Sequence, residues 1–198
     1  MAQQTKAATL PAFLLEKLAQ RSVLMNLLKI VAGSFLIAVS AQLSIPMFPV
    51  PMTMQPLAVL LVGAALGAKR GFAAGVLYLL EGASGLPVFA SGRGGLIVLA
   101  GPTAGYLYAF PFAAAIAGFF AERQWIGSVL RTVAGMALAL TVILTSGWAW
   151  LAFVWNAGAT QAFATGVAPF LLGDLVKVAL AAALLPALQR WIDRTHAS

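Results

Sequence analysis

The chain has 198 residues, of which 62% are hydrophobic and only 9% are charged. Soluble domains average about 25% charged residues, so this composition excludes an ordinary soluble protein and predicts an integral membrane protein. The chain has no cysteine, and its single histidine, His196, lies two residues from the end, which excludes disulfides, thiolate metal sites and histidine-based catalysis within the membrane. We predict a single membrane domain over residues 1–198, with no metal, no cofactor and no enzymatic activity.

The N-terminal part of the chain, residues 1–22, is predicted to be a cytoplasmic or interfacial segment. From Pro11 to Ser22, charged and amide side chains fall on one side of a helical projection and leucines on the other, which favours a helix in the membrane interface. A disordered tail followed by the first turn of the first span explains the same residues equally well.

The hydrophobic stretches predict an all-α bundle of six transmembrane helices over about residues 23–188. No charged residue occurs between Ile30 and Ala68, which is too long for one span of about 20 residues, and a cluster of four prolines marks a break within it. The predicted spans are about Val23–Leu43, a second span that ends at Lys69-Arg70, Gly71 to about Leu80, about Ala104–Ala121, about Val133–Val154 and about Gly166–Leu188. Glycine recurs every fourth residue from position 63 to position 75, which predicts close helix packing inside the protein.

Positive charges define the predicted topology. Ten of the 12 Lys and Arg residues fall in the N-terminal segment, the second-to-third loop, the fourth-to-fifth loop and the C-terminal tail. These are Lys6, Lys17, Arg21, Lys29, Lys69, Arg70, Arg123, Arg131, Arg190 and Arg194. Because cytoplasmic loops carry the excess of Lys and Arg, both termini are predicted to be cytoplasmic, in a multi-pass protein of the cell (inner) membrane surrounded by lipid. The net charge of +7 is therefore explained by topology and does not indicate nucleic-acid binding. Separately, Trp148, Trp150 and Trp155 fit an aromatic belt at the outer end of the spans.

Four charged residues remain once the cytoplasmic ones are removed, and they are the site candidates: Glu81, Arg93, Asp174 and Lys177. Asp174 and Lys177 lie three residues apart on the sixth span, so they project from one face and can pair. A charge in the hydrocarbon zone is costly and usually faces a cavity with a function. An ion pair that only locks two helices together is the alternative.

A Gly-rich irregular loop, EGASGLPVFASGRGGLIVLAGPTAG over residues 81–105, is predicted between the third and fourth spans. Its glycines are interleaved with apolar residues, which indicates a folded segment lining a cavity rather than a solvated linker. Arg93 suits a carboxylate, Asp174 accepts from N–H groups, and Lys177 donates to a carbonyl oxygen. This set predicts a small ligand that is polar at both ends. Its apolar body could lie against Tyr78, Phe89, Tyr106 or Tyr108.

Several ordered motifs, PVPMTMQPLAVLLVGAALGAKRG, GLPVFASGRGG, GPTAGYL and GDLVK, resemble the BioY family, the biotin-binding S component of energy-coupling factor (ECF) transporters. The resemblance covers about Ile45 to Lys177 with matching spacing. It implies a six-helix membrane protein that captures biotin from outside. It also implies, as partners, a transmembrane coupling subunit and ATPase subunits of the ABC type.

The resemblance also implies residue roles. Asp174 and Lys177 of GDLVK would contact the ureido ring of biotin, and Arg93, with the biotin carboxylate as its partner by charge, would help to close the site. Gly94, Gly95 and Thr103 would belong to the same wall. A charged Glu81 departs from the family, which has an uncharged residue at that place; it is either a local variation at the rim or a change in how the site is balanced.

A partner interface is implied for the first span, where Ser34, Ala38 and Ala41 place small side chains close to one face. These three residues would contact the coupling subunit, although their spacing departs from the alanine pattern of the family. Other functions stay open on the sequence. A self-contained proton-coupled vitamin carrier would use Glu81 and Asp174, a membrane enzyme would need a nucleophile or metal set, and a structural subunit would need no ligand at all.

Overall fold

The protein is described here by a computed structural model of residues 12–123 and 129–196, and it is mostly helical. Its elements in chain order are α1 (Ala12–Gln42), β1 (Ser44–Ile45), β2 (Met52–Thr53), α2 (Gln55–Leu66), α3 (Ala68–Ala83), a 3₁₀ turn (Ala90–Gly92), α4 (Leu96–Leu99), α5 (Ala104–Glu122), α6 (Val129–Ala149), a π-helical segment (Trp150–Val154), α7 (Ala159–Gly166) and α8 (Ala168–His196). The proline-rich loop after the first span thus contains a short antiparallel hairpin, in which Ser44 is opposite Thr53.

Three helical stretches of the described residues are long and apolar enough to cross a membrane: Ser22–Gln42, Ala104–Glu122 and Val133–Val154. Their bounds coincide with the predicted first, fourth and fifth spans to within one residue. A fourth crossing results if α7 and the adjoining part of α8, which are bent by 43° relative to each other, form one span. The count of six stays a prediction, because α2 has only 12 residues and α3 has 16.

The second and third helices are separated earlier than predicted. Gly67, with φ of 83°, ends α2, so Lys69 and Arg70 belong to the first turn of α3 and not to the end of α2. The N–H of Ala68 donates to Oε1 of Glu122 at 3.0 Å, which satisfies one of the free amides at the start of α3. The positive φ favours glycine at position 67, and a side chain there would have to displace the flexible Glu122 carboxylate.

Helices α2, α3 and α5 pack closely through glycine, as the four-residue repeat predicts. A Cβ atom on Gly63 would overlap the carbonyl oxygen of Ala114, and one on Gly75 would lie 2.8 Å from Cα of Pro111. Gly71 lies against the backbone of Gly63 in the same way. The predicted use of these glycines for packing inside the protein is confirmed.

The two ends of the bundle differ in charge. At one end, Nη1 of Arg70 donates to Oδ1 of Asn26 at 3.1 Å, and Glu122 reaches the start of α3. Lys69 and Arg123 lie at this basic end as well, next to those contacts in sequence. The hairpin, the Gly-rich loop and the start of α5 lie at the opposite end.

The predicted N-terminal segment is only partly described. The backbone of α1 runs without interruption from Ala12 into the first span, so residues 12–22 form no separate helix. Residues 1–11, including Lys6, lie outside the described residues. The same holds for the side chains of Lys17, Arg21, Arg190 and Arg194.

Candidate functional site

A cavity opens at the end of the bundle opposite the basic end. Its walls come from five parts of the chain: residues 50–56, 89–98, 103–110, 143–144 and 170–177. They belong to the hairpin with the first turn of α2, the Gly-rich loop with α4, the start of α5, α6, and α8. The empty space, including the open mouth, is about 600 Å³. Its lining is mostly apolar with a few polar and charged side chains, which is typical of a small-molecule site.

Six of the nine predicted ligand contacts line this one cavity: Phe89, Arg93, Thr103, Tyr106, Asp174 and Lys177. They come from the Gly-rich loop, α5 and α8, so the fold brings together residues that are up to 88 positions apart. Gly94 and Gly95 are not among the lining residues. Their neighbours are parts of the same loop region, since Gly94 packs against the carbonyl of Leu86 and the N–H of Gly95 donates to Gly82 O at 2.7 Å.

Glu81 also lies outside the cavity. Its carboxylate accepts a hydrogen bond from the Ser34 hydroxyl and so joins α3 to α1. Ser34, Ala38 and Ala41, the predicted partner contacts, are all buried within the protein. A partner subunit that docks on α1 in this conformation meets a different face, which exposes larger apolar side chains such as Phe35.

Asp174 and Lys177 form a buried ion pair in the cavity wall. Nζ of Lys177 lies 2.8 Å from Oδ1 of Asp174, and the two residues are only 4% and 6% exposed, respectively. This is the single ion pair among the residues that the structure describes. Burying two charges costs free energy that their attraction offsets only when their other hydrogen-bonding sites are satisfied. The second carboxylate oxygen and the remaining ammonium hydrogens are therefore suited to a ligand with N–H and C=O groups.

Arg93 lies at the exposed rim of the same cavity. Its Nε donates to Ala90 O at 3.2 Å, and within the described chain its two terminal nitrogens have no partner. The loop around it is held by the end of α1: Nε2 of Gln42 donates to Phe89 O, and Gly92 N–H donates to Oε1 of Gln42. The guanidinium group thus lies at the mouth on an ordered loop, where it can donate two parallel hydrogen bonds to a carboxylate.

Aromatic side chains form the apolar part of the wall. The hydroxyl of Tyr106 donates to Gly166 O at 2.7 Å, and its ring lies 6.3 Å from that of Phe170. Phe89 is buried against Tyr78, with ring centroids 5.5 Å apart in an edge-to-face arrangement. Of the four predicted aromatic contacts, Phe89 and Tyr106 line the cavity. Tyr78 lies behind the wall, and Tyr108 does not line the cavity.

A polar residue that the sequence analysis missed also lines the cavity. Gln55, the first residue of α2, is 3% exposed. Its Nε2 donates to the Tyr78 hydroxyl at 2.6 Å, and that hydroxyl donates to Val88 O at 3.2 Å. On the other side, Oγ1 of Thr53 donates to Oε1 of Gln55 at 3.2 Å. The only sequence signal was an amide at the start of an uncharged apolar stretch.

The turn after α4 is held by three aromatic residues that we call the aromatic clamp: Tyr108, Trp150 and Trp155. Each donates to one of three successive backbone carbonyls. The pairs are Tyr108 Oη to Leu99 O at 2.6 Å, Trp155 Nε1 to Ala100 O at 3.1 Å and Trp150 Nε1 to Gly101 O at 2.9 Å. The clamp thereby fixes the stretch between the cavity residues Val98 and Thr103 to α5, to the π-helical segment and to the residue that follows it. Two of the tryptophans of the predicted aromatic belt thus have a specific structural role.

The BioY family model matches residues 7–194 of the chain. The chain belongs to the BioY family. The probable biotin transporter BioY of Pyrococcus horikoshii is 42% identical to it over 155 residues, which cover 78% of this chain and 90% of that protein. Biotin transporter BioY of Rhizobium etli is 40% identical over 149 residues, covering 72% and 79%. Biotin transporter BioY2 of Lactococcus lactis subsp. cremoris is 34% identical over 180 residues, covering 89% and 97%.

A crystal structure of the S-component for biotin from an ECF-type ABC transporter has the same fold. The two superpose with a TM-score of 0.77 over 86% of this chain and 93% of that chain, at 24% sequence identity. The resemblance to the BioY family that the sequence motifs predict is therefore confirmed by the family match and by the relatives.

Proposed function

We propose that this chain captures biotin and delivers it for uptake as the substrate-binding subunit of an ECF-type ABC transporter. The observation that carries the proposal is the position of Asp174, Lys177 and Arg93 on one cavity in a chain of the BioY family. These three side chains supply an acceptor, a donor and a carboxylate-binding fork, which match the ureido N–H groups, the ureido carbonyl and the carboxylate of biotin.

The depth of these groups sets the orientation of the ligand. Asp174 and Lys177 are buried, whereas Arg93 is exposed at the mouth. A neutral ureido group costs much less free energy to bury than a carboxylate. The ureido ring therefore enters first and contacts the ion pair, the apolar part of biotin lies against Phe89 and Tyr106, and the carboxylate stays at the rim with Arg93.

The charge pattern supports an outward-facing cavity. The cavity lies opposite the end that carries Lys69, Arg70 and Arg123, and such basic loops face the cytoplasm. This arrangement supports a six-span topology in the inner membrane, with α2 and α3 as the second and third spans and both termini cytoplasmic. The chain contains no phosphate-binding loop, so ATP hydrolysis would belong to ATPase subunits that act through a coupling subunit.

The binding of biotin to the purified chain in detergent, measured by isothermal titration calorimetry, tests this function. We expect one-to-one binding by the wild type and loss of binding by Lys177→Ala. Lys69→Ala is the matched control, because Lys69 is an exposed lysine at the basic end, and it should bind as the wild type does. Absence of biotin binding by the wild type, or equal binding by Lys177→Ala, would contradict the proposal.

Uptake assays separate the proposed function from a self-contained proton-coupled carrier. In cells, biotin uptake through the proposed complex requires ATP and the partner subunits and continues when the proton gradient is collapsed. A carrier that uses Glu81 and Asp174 would behave in the opposite way. The position of Glu81 outside the cavity, bonded to Ser34, favours the first outcome.

A further inference from the structure

We propose that Gln55 is a specificity-determining ligand contact that reads the ureido ring, and that Tyr78 is the residue that positions it. This inference rests on the proposed function, because it names a further contact of the same site. It starts from the burial of Gln55 in the cavity wall and from the hydrogen bonds that orient its amide.

The orientation of the Gln55 amide is determined by its neighbours. The Tyr78 hydroxyl has one hydrogen, which it donates to Val88 O, so it must accept the hydrogen bond from Gln55. The nitrogen of the amide therefore faces Tyr78, and its oxygen faces the hydroxyl of Thr53. The hydrogen bond from Tyr78 to Val88 O thus fixes the orientation of the amide, and the Thr53 hydroxyl, which can donate or accept, is compatible with it.

Half of the hydrogen-bonding capacity of this amide is unused. A glutamine side chain has two N–H donors and two acceptor sites on its oxygen. Among the described residues, Tyr78 takes one donor and Thr53 takes one acceptor site, which leaves one of each. A buried polar group with unused capacity is costly unless a ligand or water satisfies it, and Gln55 lines the cavity where the ligand would lie.

The free donor and acceptor match the chemistry of a cyclic urea. A urea presents N–H and C=O groups side by side, and so does the free part of the Gln55 amide. Gln55 is buried to the same degree as Asp174 and Lys177, at 3%, 6% and 4% exposure, whereas Arg93 is exposed. The amide therefore belongs to the deep polar set that receives the ureido ring, and not to the rim that receives the carboxylate.

Two ligands and a matched pair of variants test the inference. Gln55→Met keeps the length of the side chain and removes its hydrogen bonds, and Gln161→Met makes the same change at an exposed site on α7. Calorimetric titrations with biotin and with biotin methyl ester compare the two ends of the ligand. We expect Gln55→Met to weaken binding of both ligands by the same factor, about 10- to 100-fold, and Gln161→Met to change neither.

Tyr78→Phe provides a second variant that keeps Gln55 in place. It retains the ring that packs on Phe89 and removes only the hydroxyl that orients the amide. We expect a smaller loss of affinity, again equal for biotin and its methyl ester. If Tyr78 only positions the ureido contact, the loss of biotin affinity caused by Arg93→Lys should be the same with and without Tyr78→Phe. A general loosening of the site would change that loss. If Gln55→Met does not fold, Tyr78→Phe decides the question, since wild-type affinity in that variant overturns the inference.

The outcomes separate this inference from the proposed function. Unchanged affinity in Gln55→Met, while Asp174→Asn loses binding, overturns the inference and leaves the proposed function intact. A loss for biotin but not for the methyl ester would assign Gln55 to the carboxylate and would likewise overturn the inference. Failure of the wild type to bind either ligand overturns both.

Discussion

The Asp174–Lys177 pair allows a test that separates stability from ligand binding. Replacing Lys177 by Met leaves the Asp174 carboxylate buried without the ammonium that lies 2.8 Å away. Breaking a buried pair in this way costs about 3–5 kcal/mol of folding free energy. Replacing both residues, as Asp174→Asn with Lys177→Met, removes the uncompensated charge. Because exchange of a buried pair for neutral groups is often neutral or stabilising, we expect the double variant to regain most of the lost stability.

Ligand binding, unlike stability, should be lost in both variants. The double variant would lose both of the charge-assisted hydrogen bonds that we propose to the ureido ring, each of which would contribute about 1.5–3 kcal/mol. The expected sum of about 3–6 kcal/mol corresponds to a loss of about two to four orders of magnitude in biotin affinity. The double variant should therefore be stable and unable to bind, whereas the Lys177→Met single variant should be both unstable and unable to bind.

Thermal unfolding of the ligand-free proteins in one detergent, followed by calorimetric titration with biotin, measures both quantities. If the double variant is as unstable as the single variant, the destabilisation does not come from an unpaired buried charge. If the double variant binds biotin as the wild type does, the pair serves only the structure. Either result would refute the reasoning that assigns two separate effects to these residues.

Three further changes have defined expected outcomes. Arg93→Lys keeps the charge but loses the planar fork, so the affinity for biotin should fall about tenfold in calorimetry, while that for biotin methyl ester should change little. Gly63→Val forces a side chain into the carbonyl of Ala114, so the purified protein should unfold at a lower temperature or fail to accumulate in the membrane; wild-type behaviour would show that α2 and α5 can separate. Trp150→Phe removes the hydrogen bond to Gly101 O, so bound biotin should dissociate faster in a filter-binding chase, and an unchanged rate would separate the aromatic clamp from the site.

Much of the candidate site could be predicted because charge is so rare in this chain. Asp174, Lys177 and Arg93 stood out once the cytoplasmic cations were removed, and all three line the cavity. Glu81 is as rare a charge as these three, but the cost of burying a charge cannot distinguish a cavity from a contact between helices. The partner of Glu81 is Ser34, which is 47 positions away and was assigned to a different role.

Gln55 is a cavity residue that the count of charges could not select. A neutral amide in an apolar stretch carries no charge penalty, so charge counting gave no reason to select it. Its position in the wall depends on Tyr78 and Val88, which approach it only in the folded chain. In a membrane protein, candidate charges can therefore be recognised from the sequence more readily than candidate amides.

Some helix boundaries could be predicted from the sequence and others could not. The long apolar helices α1, α5 and α6 follow from hydropathy, because span length is set by the thickness of the bilayer. The break between α2 and α3 was predicted at Lys69-Arg70, but it lies at Gly67. The carboxylate of Glu122, at the end of α5, accepts the hydrogen bond of the first amide of α3. The sequence around Gly67 does not reveal that contact, because Glu122 is more than 50 positions away.

The aromatic clamp has a consequence for how such a site can change in evolution. Its three acceptors are backbone carbonyls, at positions 99, 100 and 101, and every amino acid has one. Substitutions at Leu99 or Ala100 leave the acceptors in place, so the wall keeps its position while its side chains vary. The neighbouring cavity residues Val98 and Thr103 can therefore be exchanged to suit a different ligand without rebuilding the support that holds them.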